Sequence, residues 1–174
     1  MSTASPRYLS GDQLSSELIE TLKKIPGDHK PEYCYQCAKC TSACSAARVI
    51  PEYKPHLIVA LTRMGYVKEL LESRIIWACS ECWKCAEYCP QDVAPVEVIL
   101  ALKNLSVEQG IKAPEDLVTM ARNVLETGYI APPGEVMTRD FELVDRKSLE
   151  LPDLKKPVNF ESLVEKLRAF LGWI

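Results

Sequence analysis

At 174 residues the chain is long enough for one domain and short for two, and its 47% hydrophobic and 26% charged content excludes wholesale disorder. A formal net charge of -3 leaves no basic excess of the kind that nucleic acid as main partner would require. No apolar run approaches the roughly 18–20 residues that span a bilayer.

The opening "MSTASPRYLSGDQLSSELIE" has neither the charged start nor the apolar core of a secretory signal, so a reducing cytoplasm is expected, where structural disulfides are uncommon. The pattern over 12–25 predicts a first helix, with Leu14, Leu18, Leu22 and Ile25 at helical spacing, Asp12 as N-cap and Pro26-Gly27 as stop. A cysteine run follows at once. "PHLIVALTRMG" predicts a helix opened by Pro55 and broken near Gly65, and "YVKELLESRIIW" a short helix that delivers the chain to a second run. Pro95 opens "PVEVILALKNLSVEQG", which ends near Gly110. Pro114 opens "PEDLVTMARNVLETG", whose acidic first turn and Gly128 fit a helix start and stop. Beyond Ile130 the chain is punctuated by proline without sustained period, so 131–174 reads as an extended arm ending in a helix. That helix has Asn159 as cap and Phe160, Leu163, Val164, Leu167 and Leu171 on one face.

The two runs, "CYQCAKCTSAC" and "CSECWKCAEYC", contain all eight cysteines, and their first cysteines, Cys34 and Cys79, lie 45 residues apart. A [4Fe–4S] cube presents four iron corners, each needing a thiolate. Three cysteines at intervals of three in a turning segment surround one cube, while the fourth, after a longer gap, reaches a neighbouring cube. Two-cluster ferredoxins show this as C-x₂-C-x₂-C-x₃-C-P. Residues 79–90 match it through Pro90; residues 34–44 match it except that Ser45 replaces the proline. The expected ligands are Cys34, Cys37, Cys40 and Cys89 on one cluster, and Cys79, Cys82, Cys85 and Cys44 on the other. Fully ligated cubes leave no open iron corner, so the expected role is electron transfer, with no catalytic residue in this chain. Structural zinc favours two separated ligand pairs, and a disulfide framework suits a shorter secreted chain; neither fits two complete runs of four.

Between the ligands, Lys39 and Lys84 occupy matching places, where they either offset cluster charge or stand solvated, the latter being the weightier reading. Tyr33, Tyr35, Trp77, Trp83 and Tyr88 are expected to shield the cubes as apolar packing. His29 and His56, the two histidines, are expected at the surface, because eight cysteines already fill both clusters.

The long helical stretch 45–78 between the runs resembles the α-helical ferredoxin fold, found also in the C-terminal half of succinate dehydrogenase iron–sulfur subunits. With "PHLIVALTRMG", "WACSECWKCAEYCP" and "PVEVILALKNL", residues 30–110 resemble more closely the C subunit of heterodisulfide reductase. The resemblance implies a mainly α fold: a two-cluster domain over 1–130, then the arm and terminal helix. It also implies a soluble cytoplasmic complex in which a flavin-containing A subunit supplies electrons. A B subunit would reduce the mixed disulfide of coenzyme M and coenzyme B. The chain would then be the non-catalytic electron-transfer subunit of an oxidoreductase in methanogenesis. It has neither an adjacent Cys-Cys pair nor a Gly-rich dinucleotide loop of its own.

A freestanding ferredoxin-like carrier is the first alternative; the long helices and tail exceed what a diffusing carrier needs. An iron–sulfur subunit of a succinate-, fumarate- or glycolate-type dehydrogenase is another, against which stands the missing C-x₄-C-x₂-C run. A related complex acting on a different sulfur substrate is the third. The terminal helix at 159–174 is expected to pack on a partner or on this chain. A membrane-surface role for it is weaker, since its polar face mixes Glu161 and Glu165 with Lys166 and Arg168.

Overall fold

The computed structural model describes residues 11, 14–25, 27, 30–131 and 134–171, and the fold is mainly α. Asp12, Pro26, His29 and residues 172–174 lie outside the described residues, as does the side chain of Leu171. The first helix, α1 (Ser16–Lys24), starts later than its periodicity suggests. Ser15 caps it, its hydroxyl accepting a hydrogen bond from the Leu18 N–H at 3.2 Å and so satisfying one of the first-turn donors.

Chain contacts divide the molecule into two compact units at Ala113/Pro114, whereas the change of sequence character falls at 130/131. In the first unit two four-residue helices, α2 (Lys39–Ser42) and α6 (Lys84–Glu87), stand inside the two cysteine runs. Between them lie α3 (Ser45–Val49), α4 (Pro55–Met64) and α5 (Val67–Ser73), and α7 (Pro95–Glu108) follows α6. Pro55 and Pro95 each occupy the first turn of their helix, where no amide donor is required. Gly65 ends α4 at φ +93°, and a Cβ there would sit 3.4 Å from Leu14 and Ile19 side-chain atoms, so both conformation and space favour glycine.

Helix α7 is the core element. Val96, Val98, Ile99, Leu102 and Leu105 are wholly buried, covering most of its circumference, which is the signature of a central helix. Leu22 from α1, Ile58 and Val59 from α4, and Leu70 and Leu71 from α5 join it in one apolar cluster. Each such side chain contributes about 1.5–3 kcal/mol by leaving water. Partly buried Cys34, Cys44, Cys79 and Cys89 pack on this cluster, so the first and last cysteine of each run rest on the same core.

The second unit contains α8 (Glu115–Thr127), a two-stranded ribbon and α9 (Phe160–Leu171). The strands β1 (Val136–Met137) and β2 (Leu143–Val144) pair antiparallel, Val136 opposite Val144. The sequence pattern gives no sign of this ribbon, because each strand has only two residues. Pro114 sits one place before α8 as its N-cap. Gly128 closes α8 at φ +84°; a Cβ there would lie 2.7 Å from Pro157 Cδ. At the start of α9 the Asn159 carbonyl accepts from the Leu163 N–H at 3.1 Å, in the manner of an N-cap. Phe160 is buried, whereas Leu163 is 44% exposed.

Candidate metal centre

The two cysteine runs fold alike. Gln36 and Ala38 in the first have φ of 63° and 60°; Glu81 and Trp83, 45 residues later, have 55° and 62°. None is glycine, and the left-handed region costs an L-residue roughly 1–2 kcal/mol, so each run holds two strained residues between its ligands. The backbone bonds repeat as well. Cys34 N–H donates to Pro31 O at 3.2 Å and Cys79 N–H to Ile76 O at 3.3 Å. Cys44 N–H donates to Thr41 O at 3.1 Å and Cys89 N–H to Ala86 O at 3.0 Å. A left-handed residue after each of the first two cysteines turns the chain repeatedly to one side, which brings thiols at i, i+3 and i+6 around a common volume.

All eight cysteines are free thiols. One pocket is lined by Cys34, Cys37 and Cys40 of the first run together with Cys89 of the second. Near the other run, Tyr53 is buried in the apolar cluster on which Cys44 and Cys79 pack, and burial first, then the nearby Cys79, Cys44 and Cys85, raise its proton affinity. Cys37 and Cys82, the second cysteine of each run, are exposed. Burial pushes the Cys40 thiol up to about 11 and Cys85 to about 12, with neighbouring cysteines adding to the effect in both. Iron must displace these protons, since thiolate is the ligand.

This arrangement fits a cubane and not a single ion. Among the described residues no three His, Cys, Asp or Glu side chains converge on a one-ion site, while four thiols line one pocket. Donors toward sulfur are also in place. Gln36 Nε2 donates to Cys34 Sγ at 3.1 Å, and Val93 N–H to Cys89 Sγ at 3.3 Å. The buried Trp77 Nε1–H has no hydrogen-bond partner among the described residues, leaving one more donor beside Cys79 in sequence.

Several expectations for the surroundings change. Tyr33, Tyr35, Trp83 and Tyr88 are 46–59% exposed, so they do not shield the thiols within this chain; Trp77 alone of the five is packed on the core. Tyr53, 1% exposed, takes the shielding place, and nothing in "PEYKP" marks it. His56 is half-buried and lines the Cys34–Cys89 pocket instead of standing at the surface, its Nδ1 2.6 Å from Thr41 Oγ1. Burial and Lys54 hold its pKa below the usual histidine range. Lys39 and Lys84 are exposed, as the solvated reading has it.

The cations that engage the runs are others. Arg63 Nη1 donates to the Cys34 carbonyl at 2.8 Å, and Lys103 Nζ to the Cys79 carbonyl at 3.0 Å. They are equivalent, each eight residues after the proline that opens α4 or α7. Sequence reasoning misses both because the cation and its run are 24–29 residues apart in the chain.

A mainly helical protein with eight thiols in two repeated runs has the make-up of an iron–sulfur protein of the dicluster type. Consistently, residues 30–93 match the family described as 4Fe-4S dicluster domain. The chain is 40% identical over 166 residues to a protein of Archaeoglobus profundus named as like the C subunit of heterodisulfide reductase, covering 91% of this chain and 80% of that one. It is 31% identical over 159 residues to the C subunit of the H(2):CoB-CoM heterodisulfide,ferredoxin reductase of Methanothermobacter marburgensis, covering 91% and 82%. Against the iron-sulfur C subunit of the CoB--CoM heterodisulfide reductase of Methanopyrus kandleri it is 32% identical over 117 residues, 67% of this chain and 60% of that longer one. The chain belongs to the family of heterodisulfide reductase C subunits. Among the described residues no helix is long and apolar enough to cross a membrane.

Proposed function

We propose that the chain is the electron-transfer subunit of a heterodisulfide reductase-type complex. It would hold one [4Fe–4S] cluster on Cys34, Cys37, Cys40 and Cys89 and a second on Cys79, Cys82, Cys85 and Cys44. The single observation that carries the reading is the pocket in which three thiols of one run meet the last thiol of the other, 49 residues after Cys40. When bound, the two groups supply one-electron transfer. The protein's own part is positional. Ala38 and Trp83 turn the runs, and α7 fixes both against one core. Sulfur-directed N–H donors, Gln36 on Cys34 and Val93 on Cys89, stabilise the anionic thiolates.

In this reading a flavin-containing A-type subunit donates electrons and a B-type subunit, which reduces the CoM-S-S-CoB heterodisulfide, accepts them, in the cytoplasm. The relatives' names support a place in a complex of the CoB-CoM heterodisulfide reductase kind, and the exposed Cys37 and Cys82 would bring each centre near the surface at a different run. The substrate reaction is then the complex's, and this chain contributes no catalytic residue. The segment 131–174 serves as docking arm for a partner.

Anaerobic purification from the native organism tests the whole reading. About eight irons per chain and co-purification with a flavoprotein and a cysteine-rich subunit are expected. An isolated chain would point to a freestanding carrier, and an iron content near one or two would reject the clusters. Removing residues 157–174 should weaken partner assembly; unchanged assembly would reject the docking role.

A further inference from the structure

The lysines between the ligands do not stand alone. Lys39 on α2, Arg48 on α3 and Lys84 on α6 line one open hollow of about 780 Å³, with Glu87 its single carboxylate. Lys39 and Lys84 are equivalent residues of the two runs, and the packing of α2 on α6 brings them to the same surface. All three cations are exposed, and among the described residues none has an ion-pair or hydrogen-bond partner for its side chain. Elsewhere Lys23, Lys68, Lys103 and Arg122 each reach a carboxylate of this chain. A molecule of net charge -3 thus presents a locally positive face with nothing of its own to neutralise it.

The hollow adjoins the four-thiol pocket. Lys39, Cys89 and Pro90 line both, so a body seated in the hollow stands one cysteine away from that pocket. Exposed apolar surface accompanies the charge. Tyr88 lines the hollow and is 59% exposed, Trp83 precedes Lys84 and is 46% exposed, and Val49 follows Arg48 at 81%. Aromatic area beside arginine is the make-up of a protein interface, in which charges steer approach and fix register. A small anion is served less well, because exposed cations are screened by water and hold a lone counter-charge weakly. A protein face excludes that water as it docks, and the same pairs then gain strength.

We propose that this hollow is the seat for an acidic face of a partner subunit, whose Asp and Glu carboxylates pair with Lys39, Arg48 and Lys84. Arg48 offers a forked, two-bond grip on one carboxylate, and the lysines act as point charges around it. Tyr88 and Trp83 pack at the edge of the seat. This rests on the place in a complex given above, and it adds to the arm at 131–174 a separate surface carried by the first unit.

The test compares the native complex, purified anaerobically, with the same chain separated from its partners. An amine-acetylating reagent should label Lys39 and Lys84 at least about fivefold more slowly in the complex, since an interface shuts out water and reagent alike. A carbodiimide, which joins an ammonium to a carboxylate in contact with it, should link Lys39 or Lys84 to an Asp or Glu of a partner. The full-length chain with Arg48→Glu and Lys84→Glu, loaded with as much iron as the parent, should retain at most about a tenth of the partner. Arg48→Lys with Lys84→Arg, which keeps the charge, should retain more than about half of it. Equal labelling in the complex and the separated chain overturns the proposal, as do links only to a second copy of this chain. Slower labelling of the separated chain by inorganic phosphate alone, without slowing in the complex, marks a small-anion site and overturns it too. Where the charge-reversed chain does not load iron, labelling of the parent decides. A parent chain that purifies alone removes the functional reading and the seat together, whereas an intact complex with freely labelled Lys39 and Lys84 removes the seat only.

Discussion

The halves of the cysteine domain share a backbone and differ in what surrounds it. Ala38 and Trp83 adopt the same left-handed turn, and Pro55 and Pro95 open the helix that follows each run. Yet after Cys44 the chain enters α3, whereas after Cys89 it turns at Pro90 and runs directly into α7. The cation on the first run stands at the surface and the one on the second is inside. A repeated ligand pattern therefore specifies equivalent sites without making them equal. The inequality comes from which helix is central, since α7 has core on most sides and α4 does not.

The comparison is broken most completely by replacing, one at a time, the two thiols proposed to cross between the runs. Cys89→Ser should cost about half of the iron and damage the centre bound by Cys34, Cys37 and Cys40, while Cys44→Ser should damage the one bound by Cys79, Cys82 and Cys85. Iron analysis with EPR distinguishes this from uncrossed ligation, in which each change would harm its own run. Next in size is Leu102→Ala in α7, whose side chain is wholly buried. A loss of about 2–5 kcal/mol is expected, seen as a lower melting temperature, with both runs affected because both pack on the core that this helix centres.

Thiol chemistry sharpens the contrast within each run. In the cluster-free chain the exposed Cys37 and Cys82 should react first with a disulfide reagent, and Cys40 and Cys85 last. Their raised values favour the protonated thiol in the folded state. The stability they contribute is therefore complete below the unfolded cysteine value of about 8.5 and is lost as pH rises through about 11 and about 12. Alkaline unfolding of the cluster-free chain, followed by circular dichroism, should show it. The smallest effect is expected from Ala38→Gly, which relieves the strain at φ 60° and should stabilise by up to about 1 kcal/mol. Trp83→Gly at the equivalent place also removes a large side chain, so its gain should be smaller.

Much of the fold is legible in the chain itself. The helices opened by Pro55 and Pro95 and closed near Gly65 and Gly110 stand where the punctuation puts them, because proline and glycine act through local dihedrals. The start of α1 is obscured by the run of polar residues ahead of it, of which Ser15 is the cap. The four exposed aromatics between ligands read as packing residues, since residue type alone does not reveal which side of a turn faces solvent. His56 and Tyr53 give no local signal, because their burial depends on helices that arrive from elsewhere in the chain.

What the sequence by itself determined is the chemistry: eight thiols at intervals suited to two cubes, since ligand number and short spacing are properties of adjacent residues. The spacing also leads one to expect Cys89 beside Cys34, Cys37 and Cys40, and the four line one pocket in the folded chain, while the tertiary structure alone decided that Tyr53 and His56 are drawn in around the runs. It also decided that Lys103 stands over the Cys79 carbonyl, dry, while Arg63 does the same for Cys34 in water. Solvent exclusion is produced by long-range packing, and the strength of every charge and hydrogen bond at the site depends on it.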